Sequence, residues 1–173
     1  DLHSRLQGRV LLAEDNQVNQ EVALAMLQNL GLGYEVVTNG ADVLEILHKQ
    51  SFDLILMDCQ MPIMDGFQAT VAIRQQEQFS AQHIPIVALT AHAVSGDRER
   101  FLACGMDDYL SKPFTQEQLG NLLAQWLPTI TAPAGSQVTS PQTGTATQHH
   151  RELDPRAIDS LRTLRAGLLA KVL

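Results

Sequence analysis

Apolar residues fall along the chain in two alternating patterns. Short compact runs at 9–13, 34–38, 53–57, 84–89 and 108–110 predict five β-strands. Between them, residues 17–30, 41–49, 67–76, 98–104 and 115–126 place apolar positions at helical spacing and predict five helices. Val18, Val22, Ala25, Met26 and Leu30 are the apolar set of the first helix; Val43, Leu44, Ile46 and Leu47 form the inner face of the second. Asn39-Gly40 and Asp65-Gly66 read as turns, and Thr115 and Gln118 have capping-box spacing. Residues 54–57 and 86–89 are apolar at successive positions, as in strands buried on both faces. Strands separated by helices imply crossovers and a parallel sheet. The predicted fold is a three-layer α/β sandwich over residues 8–128, after an N-terminal leader at 1–7.

The pattern changes after Pro128. Residues 129–150 contain no Asp, Glu, Lys or Arg and are rich in Thr, Ala, Gln, Ser, Pro and Gly. Such a stretch buries too little apolar area to offset its chain entropy, so 129–151 is expected to be a flexible linker. Asp154 and Pro155 then suit an N-cap and a first helical position. Ile158, Leu161, Leu164, Leu168 and Val172 form an apolar stripe, so 152–173 is expected to begin a second, helical domain that is cut short.

The 173 residues carry a net charge of −7, with 45% hydrophobic content and two cysteines, Cys59 and Cys104. No Lys/Arg-rich run is present, which argues against nucleic acid or an anionic membrane as a partner. No apolar run is long enough to cross a bilayer, and no charged-then-apolar leader suggests secretion. Buried, reduced thiols are expected.

Candidate chemistry lies at the carboxyl ends of the predicted strands, where open parallel sheets bind ligands. Glu14 and Asp15 end the first strand, Asp58 the third, Thr90 the fourth and Ser111-Lys112-Pro113 the fifth. Taken singly, Glu14-Asp15 would suit a helix N-terminus, Asp58 a loop cap and Lys112 a solvated position. Jointly they form a different object. Three converging carboxylates repel one another unless a cation sits among them, and all-oxygen donors suit Mg²⁺. A cation held by Asp15 and Asp58 could take a phosphoryl oxygen, with Lys112 neutralising a second and Thr90 donating to a third. Asp58, on a central strand end, is the expected nucleophile.

Residues 10–16 (VLLAEDN), 57–66 (MDCQMPIMDG), 85–91 (PIVALTA) and 105–114 (GMDDYLSKPF) closely resemble the receiver domains of two-component response regulators. Residues 16–20 (NQVNQ) and 90–93 (TAHA) are most similar to receivers fused to hybrid sensor histidine kinases. The resemblance implies a flavodoxin-like (βα)5 fold with strand order 2-1-3-4-5. It implies that Asp58 accepts a phosphoryl group from a phosphohistidine with Mg²⁺ as cofactor. Asp15 would bind the ion directly, Glu14 through water, and the Gln60 backbone carbonyl would complete the protein ligands. Thr90 and Lys112 would contact the phosphoryl group. Thr90 and Tyr109 would form the switch, and Gln60 and His92 would tune dephosphorylation. A cis Lys112-Pro113 bond is also implied.

Residues 153–164 (LDPRAIDSLRTL) look like the first helix of a histidine phosphotransfer domain. By resemblance the domain is cytoplasmic, within a parent kinase that can be membrane-anchored, and catalyses its own aspartyl phosphorylation and dephosphorylation. Its partners would be a kinase dimerisation domain and a histidine phosphotransfer domain; the C-terminal stripe allows a dimer. A haloacid-dehalogenase-type hydrolase would need an Asp-x-Asp pattern after the first strand, and an FMN carrier a Ser/Thr/Gly-rich loop there. Glu14-Asp15-Asn16 fits neither. His149-His150 sits in polar linker and is read as having no role.

Overall fold

The computed structural model of the chain describes residues 5–91 and 96–130. Seven strands and five helices follow in the order β1 (Arg5–Leu6), β2 (Arg9–Ala13), α1 (Gln17–Asn29), β3 (Gly33–Val37), α2 (Gly40–Lys49), β4 (Leu54–Asp58), α3 (Gly66–Glu77), β5 (Ile86–Thr90), α4 (Asp97–Cys104), β6 (Asp108–Ser111), α5 (Gln116–Trp126) and β7 (Thr129–Ile130). The five longer strands form one parallel sheet in the order β3-β2-β4-β5-β6. For the five strands predicted from the apolar runs this is the order 2-1-3-4-5, the expected flavodoxin-like arrangement.

Alternating side chains of the central strands enter opposite cores, which explains their uninterrupted apolar runs. Val10, Leu12, Leu54, Leu56, Val87 and Leu89 pack with Leu27, Leu119 and Leu123 of α1 and α5. Leu11, Ala13, Ile55, Met57, Ile86 and Ala88 pack with Val43, Ile73 and Phe101 of α2, α3 and α4. The capping box of Thr115 and Gln118 is present, and a second one joins Asp65 and Gln68 at the start of α3.

Two expectations change. Helix α1 does not bury Val18 and Val22, which are 68% and 49% exposed; Ala23 and Leu27 face the core instead. Two lines at helical spacing share this helix, and apolar content alone does not select the inner one. The half-buried Gln20 lies on the inward line because its amide is used at the end of β2.

The borders also move. Arg5–Leu6 pairs antiparallel with Thr129–Ile130, so ordered strand enters both the leader expected at 1–7 and the linker expected from 129. Leu6 is buried in the α1/α5 core, and this apolar contact, with a Gln7 N–H to Pro128 carbonyl bond at 3.0 Å, holds the ribbon. Residues 131–151 of the expected linker, the expected helical segment 152–173, and His92 lie outside the described residues.

Candidate functional site

Strand order reverses between β2 and β4: one connection from this central pair leads to β3 and the next returns across it. Ligand crevices form outside the carboxyl ends of strands at such a point. Here the cleft is open, about 870 Å³ in volume, and its walls include Glu14, Asp15, Asp58, Gln60, Thr90 and Lys112. Six residues read from four separate stretches of sequence thus share one cleft.

Lys112 is its electrostatic centre. Its ammonium donates to Glu14 Oε2 at 2.6 Å and to Asp58 Oδ2 at 2.9 Å, with the lysine side chain only 18% exposed. The residue is aimed by a backbone bond from its N–H to the Thr90 carbonyl at 2.7 Å and precedes a cis Lys112-Pro113 peptide. Burial alone would lower the lysine pKa, but the two carboxylates outweigh it and hold the pKa above its ordinary value.

The two carboxylates differ. Burial works against ionisation of Glu14, yet Lys112 and the Asn16 N–H and Asn19 amide together hold its pKa below the ordinary value. For Asp58 burial prevails: its pKa is raised despite Lys112 and the Gln60 N–H, with the Glu14 charge adding to the rise. The Gln60 N–H reaches Asp58 Oδ1 at 3.1 Å. Asp15 is exposed at the cleft rim, and ligand atoms of Glu14, Asp15 and Asp58 lie within 4.8 Å of one another. Hard, anionic oxygens at that spacing fit a divalent cation of the Mg²⁺ type.

Asp58 is also placed by a glycine. A Cβ on Gly66 would meet Asp58 backbone and stand 2.8 Å from Met57 Cγ, so only glycine lets α3 start against the end of β4. Thr90 is buried at the end of β5, opposite Ser111. Tyr109 stands apart from the cleft wall, half-buried, with its ring 5.8 Å from that of Phe101. Cys59 is buried with its thiol pushed up to about 12, chiefly by desolvation, which makes it inert at neutral pH.

Sequence reasoning missed the grip on Glu14. Asn19 Nδ2 donates to its Oε1 at 3.2 Å and Gln20 Nε2 to its backbone carbonyl at 2.6 Å. The 16–20 run was the available signal, without a role attached. It also missed Arg74, whose guanidinium bonds Glu77, Asp107 and the carbonyls of Ile84 and Gly105 at the far end of the sheet.

Comparison with known proteins places these features. The model of the response regulator receiver domain family matches residues 10–124. The sensor histidine kinase GacS of Pseudomonas protegens is 44% identical over 121 residues, 68% of this chain and 13% of that protein. The receiver domain of sensor histidine kinase PA1611 from Pseudomonas aeruginosa PAO1, with a magnesium ion coordinated in its active site cleft, is 46% identical. That match covers 69% of this chain and 97% of that one, with a TM-score of 0.63. The receiver domain of the Saccharomyces cerevisiae response regulator Ssk1, solved with the histidine phosphotransfer protein Ypd1, is 32% identical. It matches with a TM-score of 0.66 over 70% of this chain and 89% of that one. The chain spans between 6% and 16% of the curated relatives it matches.

Proposed function

This chain belongs to the response regulator receiver domain family, and from that membership we propose that Asp58 accepts a phosphoryl group from a phosphohistidine and passes it to a histidine phosphotransfer domain. The observation that carries this reading is the Asp58 carboxylate at the end of a central strand, 2.9 Å from Lys112 and beside Glu14 and Asp15 in an open cleft.

The nucleophile is an oxygen of ionised Asp58. It forms a bond to phosphorus as the phosphorus–nitrogen bond of the donor breaks and the imidazole departs. Phosphoryl transfer asks mainly for positioning and charge stabilisation. Gly66 and the Gln60 N–H fix the direction of Asp58. Lys112, held near by Glu14, is the group that neutralises a phosphoryl oxygen, and Thr90 donates to another. Asp15 and Asp58, with the Gln60 carbonyl, would hold Mg²⁺ directly, and Glu14 from one water further out. The ion would supply charge neutralisation at the incoming phosphoryl oxygens. Thr90 and Tyr109 form the switch, with the Phe101 contact of Tyr109 linking it to α4. Gln60 and His92 set the lifetime of the phosphoryl group.

The parent protein is proposed to be a hybrid histidine kinase, supported by similarity to GacS and to the PA1611 receiver domain. The proposed partners are the kinase dimerisation domain and a histidine phosphotransfer domain, the latter begun at 152–173 beyond a linker. A cytoplasmic location goes with these partners; among the described residues no helix is long and apolar enough to cross a membrane.

The test is phosphotransfer to the chain from a panel of phosphorylated histidine donors, with Mg²⁺ and with chelator. Mg²⁺-dependent, acid-stable, alkali-labile label that vanishes in Asp58→Asn is expected. Undiminished labelling of Asp58→Asn would move the site elsewhere.

A further inference from the structure

We infer that Asn19 and Gln20 are positioning residues of the cation site, acting through Glu14. This rests on the Mg²⁺-dependent reading above and extends it to two amides that bond Glu14, one of which, Asn19, also lines the cleft.

Glu14 is 1% exposed, and a buried carboxylate takes up a single orientation only if donors fix it. Its Oε2 faces the cleft and receives Lys112 at 2.6 Å. Its Oε1 receives the Asn16 N–H at 3.1 Å and Asn19 Nδ2 at 3.2 Å, which occupies that oxygen on the side of α1. Asn19 is itself held, since its N–H donates to the N-cap oxygen of Asn16 at 3.1 Å. Residues 14, 16 and 19 therefore form a closed ring of bonds between the end of β2 and the first turn of α1.

Gln20 acts on the backbone of the same residue. The Glu14 N–H donates to the Val37 carbonyl, where β3 ends. Beyond that point the Glu14 carbonyl needs another donor, and Gln20 Nε2 supplies it at 2.6 Å. One amide thus fixes where the strand end lies and the other fixes how the carboxylate is turned. With Oε1 filled by amide donors, only the cleft-facing Oε2 is left to Lys112 and to water around an ion. An acid at 19 would put negative charge where Glu14 requires a donor. Position 19 must therefore supply an N–H donor, for a reason separate from helix formation.

Outer partners of this kind typically change metal affinity by 10–100-fold. The experiment is Mg²⁺ calorimetry on the 173-residue chain, with thermal unfolding alongside and phosphotransfer on the same samples. Asn19→Leu should bind Mg²⁺ about tenfold more weakly, with Tm moved by less than about 3 °C. Asn19→His, which restores a ring N–H of similar reach, should recover most of the affinity. Gln17→Leu, removing an exposed amide bonded only to Glu21 on the same helix, should match wild type. If Asn19→Leu proves poorly folded, Gln20→Leu decides the question by the same loss of affinity.

Mg²⁺ binding by Asn19→Leu equal to wild type would overturn the inference and leave the receiver reading intact. So would equal losses in Asn19→Leu and Asn19→His, or a large fall in Tm with affinity retained. Wild-type chain that neither binds Mg²⁺ nor takes phosphoryl groups would overturn both.

Discussion

Gly66 leaves no room for a side chain against the backbone of Asp58. The chain turns back within eight residues of Asp58, and the Gly66 N–H still donates to the Cys59 carbonyl at 3.3 Å. Gly66→Ala should therefore cost roughly 1–3 kcal/mol in urea unfolding and slow phosphoryl acceptance by displacing Asp58. An alanine variant with wild-type stability and rate would show that α3 moves away freely.

Arg74 should matter more to stability than its helix position suggests. It is 16% exposed and bonds two acids and two carbonyls, so Arg74→Leu takes the guanidinium from Glu77 and Asp107, leaves them the Ile84 and Ile86 N–H groups and His83, and should cost about 2–4 kcal/mol. Arg9, paired with Glu35 in an ion pair whose members are 42% and 40% exposed, removes the same charge; Arg9→Ala should cost under about 1 kcal/mol. Similar losses in the two variants would mean that burial of the Arg74 network adds little.

Cys59 gives a pH dependence of known sign. Above pH 9 an unfolded chain begins to lose the thiol proton, whereas the folded chain keeps it until about 12. Unfolding is thus favoured as pH rises through this window, and Cys59→Ala should flatten that part of the stability curve. Near neutral pH the thiolate is scarcer than in a free cysteine by about three orders of magnitude, so alkylation should be correspondingly slow. Rapid labelling of Cys59 in folded protein would contradict its burial.

Leu6 tests the ribbon. It is 7% exposed, and Leu6→Ala should cost about 2 kcal/mol, at the lower end for a buried leucine because the site lies at the core's margin. A neutral substitution would make β1 an ornament of the fold rather than part of it.

What sequence reveals here divides along physical lines. The strand runs, the Thr115 cap and the acidic strand ends are local or share a known edge, so spacing alone places them. Asp58 and Lys112 are 54 residues apart, yet the order of a parallel sheet brings their strand ends together. The inward line of α1 was not legible, because Val18 and Val22 satisfy helical spacing as well as Ala23 and Leu27 do. Arg74 carries no periodic signal: its partners span residues 77–107 and exist only after folding. The pairing of Arg5 with Ile130 was hidden because two-residue strands are too short to show a pattern, and the composition change after Pro128 pointed the other way.

That pairing fixes the plumbing of the unit. Antiparallel partners stand about 5 Å apart, so polypeptide enters and leaves through a single gate. The gate lies beside the amino ends of the parallel strands, on the opposite side from Asp58. A domain tethered at one gate can be excised, permuted or transplanted by joining two neighbouring ends, with no gap to bridge.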